Sequence, residues 1–519
     1  MNGMSRRTWA VLVALIVILA LAARLIPGPR TIDDAYITFR YARNLLAGNG
    51  FVFNPGERVL GTTTPLFTLI LAAAALPFGG GAAPFPVIAL VLATLFDLGA
   101  CVTLASLGRA FGRPAAGIVA ALAWAIAPSS VTFAIGGLET SLFVFMIALA
   151  FLAHVRERAL LTGVLCGLAA LTRPDALIPV ALIALDCAWR ALGSSRERGR
   201  AFVRFAVPLA VLLLAWTAFA WFYFGALVPQ SMLAKVAAYR LPEDAAFVRL
   251  IQAYGTPFME NELLGTWWIA PGLVLSLSLA LLALSRLVRR VPTAWPALVY
   301  PWAFLVVFSA ANPLIFRWYL AEPLPFYMLS FLIGVGEFSQ DVADSDMLHG
   351  SVIAQPLAAR VGWATVAVLV VAALGAGWVL HPADGPDHPA PEMATVRLEE
   401  AYTEVARRLA PEVTERTVVA AGDVGALGYF LDAHILDLVG LNSKEVTQYF
   451  PLPDEMYVIN YAVPPGAVFA AMPDYVVLLE VYGRNGLLKE ARFAQAYELV
   501  DRIDTTMYGS DGLLVYRRR

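Results

Sequence analysis

At 519 residues, with 59% hydrophobic side chains, 15% charged ones and a mean hydropathy of +0.70, the chain is too apolar for a water-soluble globule and reads as a polytopic α-helical membrane protein. The net charge of −2 conceals an asymmetry: Lys and Arg number 25 against 18 Asp and Glu in residues 1–380, and 12 against 21 in residues 381–519. The two parts carry +7 and −9, which predicts two domains in two environments and offers nothing that points to nucleic acid.

Residues 8–26 form a first apolar span behind Arg6-Arg7, which places the N-terminus in the cytoplasm and the loop 27–83 outside. Ala20-Leu21-Ala22 resembles a signal-peptide cleavage site, but the apolar run is long for one. Further spans read as 84–108, 114–134, 138–154, 160–173, 176–190, 202–224, 268–285, 294–311, 318–336 and 361–380, about eleven in all with the first. Segment 65–78 is short for a core of about 30 Å and is read as a helix packed at the outer surface. That choice puts Arg109 and Arg113, Arg156 and Arg158, Arg190 to Arg204 and Arg286 to Arg290 all inside. Cys101, Cys166 and Cys187 lie in apolar segments at spacings that match no metal or redox motif, so no disulfide framework is expected.

Within the first outer loop, Ala35, Phe39, Ala42 and Leu46 fall on one helical face, while Asp33, Tyr36, Arg40 and Arg43 share another. The pattern predicts a helix lying along the interface with its apolar side on the lipid. Gly48-Asn49-Gly50 ends it, Asn54-Pro55-Gly56 is a turn, and Thr64-Pro65 opens the next helix with a cap and an N1 proline. On the same outer side fall Gly136-Gly-Leu-Glu139-Thr140, Arg173-Pro-Asp175, the loop 225–267 with Lys235, and Asn312 to Glu322 with Arg317. One end of the bundle therefore gathers Asp33, Asp34, Glu139, Asp175, Lys235, Arg317 and Glu322, an acid and base cluster of the kind that makes a site.

Residues 381–519 follow a Pro/Gly/Asp-rich linker and read as a soluble α/β domain of roughly 130 residues. A helix is expected at 394–410, with strands at Thr417–Ala421, His434–Val439, Tyr475–Glu480 and Leu513–Tyr516. Gly422-Asp-Val-Gly425-Ala-Leu-Gly428 superficially matches a dinucleotide fingerprint, yet its glycines come in the wrong order and no acidic ribose partner follows.

The Asp33-Asp34 pair admits a plain reading as a helix cap. A single Asp would serve for that, and ionised groups at a bilayer edge are costly. The pair is thus a candidate general base for an acceptor hydroxyl, or a ligand pair for a divalent cation such as Mg2+, Mn2+ or Ca2+; the residues alone leave both open. Lys235 and Arg317 suit a phosphate, unless they only snorkel towards headgroups. Tyr36, Arg40, Glu139, Arg173, Asp175 and Glu322 complete the substrate-binding candidates, although Glu139 and Asp175 have a simpler role as partners of Arg173. Asp97, in mid-span, is expected to make an interhelical hydrogen bond. His154, His381, His388 and His434 show no metal spacing.

The run DDAYITFRYARNLLAGNGFVFNPGERVLGTTTPL, then GGLET, LTRPDAL, VPQSMLAK and RWYLAEPLPF, and GDVGALGYF with ILDLVGL in the tail, resemble the GT-C superfamily of glycosyltransferases, nearest to arabinofuranosyltransferases of arabinogalactan synthesis. The resemblance implies a polyprenyl-phosphate sugar donor, with arabinofuranose as the relatives' sugar, an envelope glycan, lipid or protein acceptor, and inverting transfer at the outer face of the plasma membrane. It maps the base on Asp33 or Asp34 and the phosphate-facing cation on Lys235 or Arg317. GTTTPLF carries Pro65-Leu66 where the relatives often have an aromatic residue. A transporter or flippase is the competing class, but charges at one surface and the lack of a visible internal repeat speak against it. A glycan-binding sensor would not need the acidic pair.

Overall fold

The computed structural model describes residues 4–193, 195–258, 265–343, 354–376 and 394–519. Helices α1 (Arg6–Leu25), α2 (Asp33–Leu46), α3 (Pro65–Ala75), α4 (Phe85–Ala110), α5 (Pro114–Ile126), α6 (Pro128–Ile135), α7 (Thr140–Val155), α8 (Ala159–Thr172), α9 (Leu177–Leu192) and α10 (Arg196–Phe224) make up its first half. They are followed by α11 (Gln230–Ala238), α12 (Ala245–Gly255), α13 (Ile269–Leu287), α14 (Trp295–Ala311), α15 (Arg317–Ala321), α16 (Leu324–Ala343) and α17 (Ala354–Ala376). Six stretches, Arg6–Leu25, Phe85–Ala110, Arg196–Phe224, Thr266–Leu287, Pro292–Ala311 and Arg317–Asp341, are long and apolar enough to cross a bilayer. The chain is a multi-pass membrane protein.

The segment expected as one span at 114–134 is broken at Ala127-Pro128, and α5 and α6 meet at a bend of 50°. Pro128 has no amide hydrogen to continue the ladder, so it starts a new helix. Pro65–Phe78, Thr140–Val155 and Ala159–Thr172 are apolar but shorter than a crossing needs when straight. Burial separates the long helices: the apolar window of α10 is 11% buried and faces lipid, whereas that of Arg317–Asp341 is 78% buried and forms the centre. In mid-span Asp97 accepts from Trp124 Nε1 at 3.0 Å and pairs with Arg24 at 2.6 Å, the interhelical bond expected of it.

The C-terminal part opens with α18 (Ala394–Leu409) and builds a five-stranded sheet from β1 (Val418–Ala421), β2 (His434–Asp437), β3 (Tyr475–Leu479), β4 (Tyr497–Ile503) and β5 (Leu513–Arg518). The order is β2-β1-β3-β5-β4, with β1 parallel to both neighbours and β5 antiparallel to both of its own. Strand β3 is buried along its whole length, as a central strand should be. The unanticipated strand is β4, an edge strand whose register shifts between Leu499 and Asp501; its mixed pattern carries no clean alternation. The linker around His381 and His388 lies outside the described residues.

Helix α2 departs from its expected setting. Instead of lying on lipid with its polar face in water, it is enclosed on both sides, with Asp33, Tyr36 and Arg40 as buried as Phe39 and Ala42. Its polar face is the docking surface for the sheet-bearing part, in particular for α19 (Gly425–Phe430). The expected cap at Thr64 also differs: Pro65 is at N1, but the Thr64 hydroxyl makes no capping bond.

Candidate active site at the seam of bundle and sheet

Asp33 starts α2, yet its carboxylate caps a different helix. Oδ2 accepts from the Gly425 amide at 2.9 Å and Oδ1 from the Ala426 amide at 2.7 Å, so the first turn of α19 is satisfied by a residue of the first loop. Gly425 has to be glycine, because a Cβ there would stand 1.8 Å from the Asp33 carbonyl oxygen. Three residues on, a Cβ at Gly428 would stand 2.9 Å from the Phe53 ring and 3.1 Å from the Arg40 guanidinium. Of the glycines that imitate a nucleotide fingerprint, Gly425 lets two backbones meet and Gly428 gives room to side chains of the first loop.

Tyr36 and Arg40 belong to this docking surface. The Tyr36 hydroxyl donates to Glu399 Oε1 at 3.0 Å, and its ring packs on Tyr429 and Phe430. Arg40 donates to the Phe53 carbonyl at 2.7 Å, the Ala433 carbonyl at 2.9 Å, Asn54 Oδ1 at 3.2 Å and the Gly428 carbonyl. With its donors so occupied, Arg40 ties the first loop to the sheet and does not face the space around Asp34. A second tie runs from Tyr41 to Asn442 Oδ1 at 3.2 Å.

Asp34 differs from its neighbour. It is half-buried, and no described group hydrogen-bonds its carboxylate. Beside it the sheet supplies Asp423, just past the end of β1, which accepts from the Tyr402 hydroxyl at 3.1 Å. Burial, with Asp423 and Asp34 adding like charge, pushes the Asp33 carboxyl up to about 8 against its two amide donors. Burial raises Asp423 to about 7, while the hydroxyls of Tyr402 and Tyr482 pull the other way.

From this seam an aromatic wall leads to the remaining candidates. Tyr239 stands 6.0 Å ring to ring from both Tyr461 and Phe316. The Lys235 ammonium lies 4.6 Å above the Phe316 ring, one helical turn before Tyr239, and Arg317 follows Phe316 directly. Phe316 stacks on Trp318 at 4.5 Å, and Tyr319 then carries the Arg173 guanidinium 5.0 Å over its face. Arg173 is held by Glu139 at 2.6 Å, Glu322 at 2.7 Å and Asp175 at 2.9 Å, all largely buried. The expected partnership of Glu139 and Asp175 with Arg173 is therefore present, and Glu322 joins it.

His154 lies at the far end of α7, about 24 Å from Glu139 along a helix of 16 residues. There it pairs with Asp186 at 2.9 Å beside a cavity of about 510 Å³ that shares no residue with the seam.

A divalent cation is the remaining reading of the acidic pair, and Asp33 offers it little. Both Asp33 oxygens hold backbone amides, and among the described residues no group of three or more His, Cys, Asp or Glu is arranged to hold a metal ion.

Residues 392–516 match the family model "Domain of unknown function (DUF8728)". The chain is 34% identical over 227 residues, 40% of its length, to the terminal beta-(1->2)-arabinofuranosyltransferase of Mycobacterium tuberculosis; the match spans 35% of that relative. Among solved structures it is similar to ArnT from Cupriavidus metallidurans bound to undecaprenyl phosphate, with a TM-score of 0.59 at 14% identity over 99% of this chain and 98% of that one. The Archaeoglobus fulgidus oligosaccharyltransferase, crystallised with Zn and sulfate, gives 0.55 at 12% identity over 98% and 73%. The same enzyme with an inhibitory peptide and a dolichol-phosphate gives 0.53 at 11% over 98% and 74%. The fold is the GT-C fold.

What the sequence reading missed is Asp423 and the tyrosines around it. A signal was available in the carboxylate placed directly after a parallel strand, where α/β sheets place ligands.

Proposed function

We propose that this chain is a membrane glycosyltransferase that moves a sugar from a polyprenyl-phosphate donor to an envelope glycan, lipid or protein acceptor. Residues 1–380 are its transfer module and residues 381–519 an extracytoplasmic domain docked on it, with the N-terminus in the cytoplasm of a plasma-membrane protein. Asp34 carries the reading: of the acidic pair it alone keeps its carboxylate unbonded by described groups and partly open, while Asp33 is engaged by Gly425 and Ala426.

Asp34 accepts the proton of the acceptor hydroxyl as its oxygen attacks the anomeric carbon. The bond from that carbon to the phosphate oxygen breaks in the same displacement, which inverts the centre. Polyprenyl phosphate leaves as a stable anion and needs no general acid. Lys235, with no carboxylate in ion-pair contact among the described residues, is the cation for the leaving phosphate, with Arg317 beside it. No step is routed through a metal ion. Arabinofuranose is the first sugar to try, because the partial match is to an arabinofuranosyltransferase, and the lipid phosphates bound by the structural neighbours support the donor class.

The test is incubation of purified protein with a panel of polyprenyl-phosphate sugars and an envelope glycan extract. Release of polyprenyl phosphate with one donor is the expected result; release with none removes the reading.

A further inference from the structure

The sheet has a topological switch point. Strand β1 lies between β2 and β3, parallel to both, so the chain leaves β1 towards one side of the sheet and leaves β3 towards the other. The crevice between the carboxyl ends of two such strands is where open α/β sheets bind ligands. Here those ends are occupied by Asp423 after β1 and Tyr482 after β3, the two side chains associate, and Asp423 keeps part of its surface open.

A second observation points into the same crevice. Tyr461 is 3% exposed and stacks edge-on with Tyr482 at 5.0 Å, yet its hydroxyl, buried near Asp423 and Asp437, has no hydrogen-bond partner. A buried hydroxyl without a partner costs free energy in the empty protein, which is the expected state of a group reserved for a ligand. Asp437 is not available to it, because both Asp437 oxygens are filled by the amides of Val439, Gly440 and Asn442. Tyr239 closes the bundle side of the crevice, and the Arg240 amide donating to the Asn460 carbonyl at 2.9 Å fixes it beside Tyr461.

We propose that this crevice is the acceptor subsite, taking one sugar ring of a glycan against Tyr239 and Tyr461, with ring hydroxyls on Asp423 and on Tyr461 Oη, and presenting a further hydroxyl to Asp34. The chemistry is that of carbohydrate recognition: aromatic faces meet the C–H face of a sugar ring, and a carboxylate accepts from its hydroxyls. An extended peptide would instead want a free strand edge, and Asp423 and Tyr482 sit at strand ends. The proposal rests on the transfer reading and gives the sheet-bearing domain its part in it: the domain selects the acceptor.

The experiment uses the full chain in nanodiscs and two probes, an arabinofuranosyl tetrasaccharide and maltotetraose, with binding read by saturation-transfer NMR and donor cleavage measured in parallel. The parent should bind at least one probe. Tyr461→Phe and Asp423→Asn should each weaken that binding roughly tenfold, the loss expected when a ligand hydroxyl loses its partner. Tyr461→Phe removes a hydroxyl bonded to nothing in the protein, so its Tm should be unchanged or higher, and weaker binding there is not a folding defect. Parent protein that binds neither probe, or variants that bind as the parent does, overturn the subsite. Sugar binding without cleavage of any donor leaves the subsite standing and removes the transfer reading; cleavage with binding unaltered in both variants does the reverse.

Discussion

Two clusters of carboxylates stand at one end of this bundle, and they are held in opposite ways. At the Arg173 knot, Glu139, Asp175 and Glu322 close on one guanidinium at 2.6–2.9 Å. At the seam, Asp33, Asp34 and Asp423 have no cation in contact among the described residues; two backbone amides and tyrosine hydroxyls take that role. At the knot one cation fixes three carboxylates in position. Asp33 and Asp423, held only by neutral donors, have proton affinities that burial and like charge raise towards neutrality. On the function proposed above, the knot is architecture and the seam holds the chemistry.

The sharpest way to break that comparison is Asp34→Asn. The amide keeps the shape of the side chain and cannot take a proton, so transfer should fall by about 10²–10⁴ while donor lipid still binds and the protein still purifies as a monodisperse species. Transfer at the parent rate in this variant and in Asp33→Asn would remove the base from the mechanism.

The counterpart at the knot is Arg173→Met, which leaves three carboxylates facing one another without their cation. Breaking a buried pair costs about 3–5 kcal/mol, so thermal unfolding followed by fluorescence should show a clearly lowered Tm. An unchanged Tm with lost turnover would reverse the assignment and place the knot in the reaction.

Between the two clusters stands Lys235. Lys235→Gln should weaken donor use by about 1.5–3 kcal/mol, the range of a charge-assisted hydrogen bond, seen in kcat/KM for the donor with Tm unchanged. Undiminished donor use would leave the phosphate to other cations.

Part of this was legible in the amino-acid order. One local rule carried over intact: Asn54-Pro55-Gly56 makes its turn, with the Glu57 amide on the Asn54 carbonyl at 3.1 Å and Gly56 at φ +88°. The apolar β1 and β3 form close to where their composition puts them. The setting of α2 was not legible. Its periodicity shows a polar face, but that face is met by residues up to 393 positions downstream, and no local pattern tells water from a distant polar partner. Asp423 was hidden for the same reason: its neighbour Asp34 lies on another helix in another part of the chain, and the glycines around it serve docking instead of phosphate binding.

The last and smallest effect concerns the latch itself. Asp33 caps α19 while its carboxyl is pushed up to about 8 from an ordinary 3.8. The folded state therefore holds more protons than the unfolded chain between those values, and stability at the seam is present in full below about 4 and declines as pH rises towards about 8. The groups that set this are Asp34 on the same helix, Asp423 with Tyr402 and Tyr482 from the sheet-bearing domain, and the amides of Gly425 and Ala426. Protection factors for those two amides, measured by hydrogen exchange against Val477 in the centre of β3, should fall over that interval. Asp33→Asn still accepts one amide through its Oδ1 but turns an NH2 towards the other, so the latch should lose about 0.5–2 kcal/mol, the range for a helix cap, and the pH slope should flatten. A slope of the opposite sign in the parent would mean that the two amide donors outweigh burial and that Asp33 is ionised throughout, in which case it is Asp33 that holds the seam by charge and the contrast with the knot narrows to Asp34 and Asp423 alone.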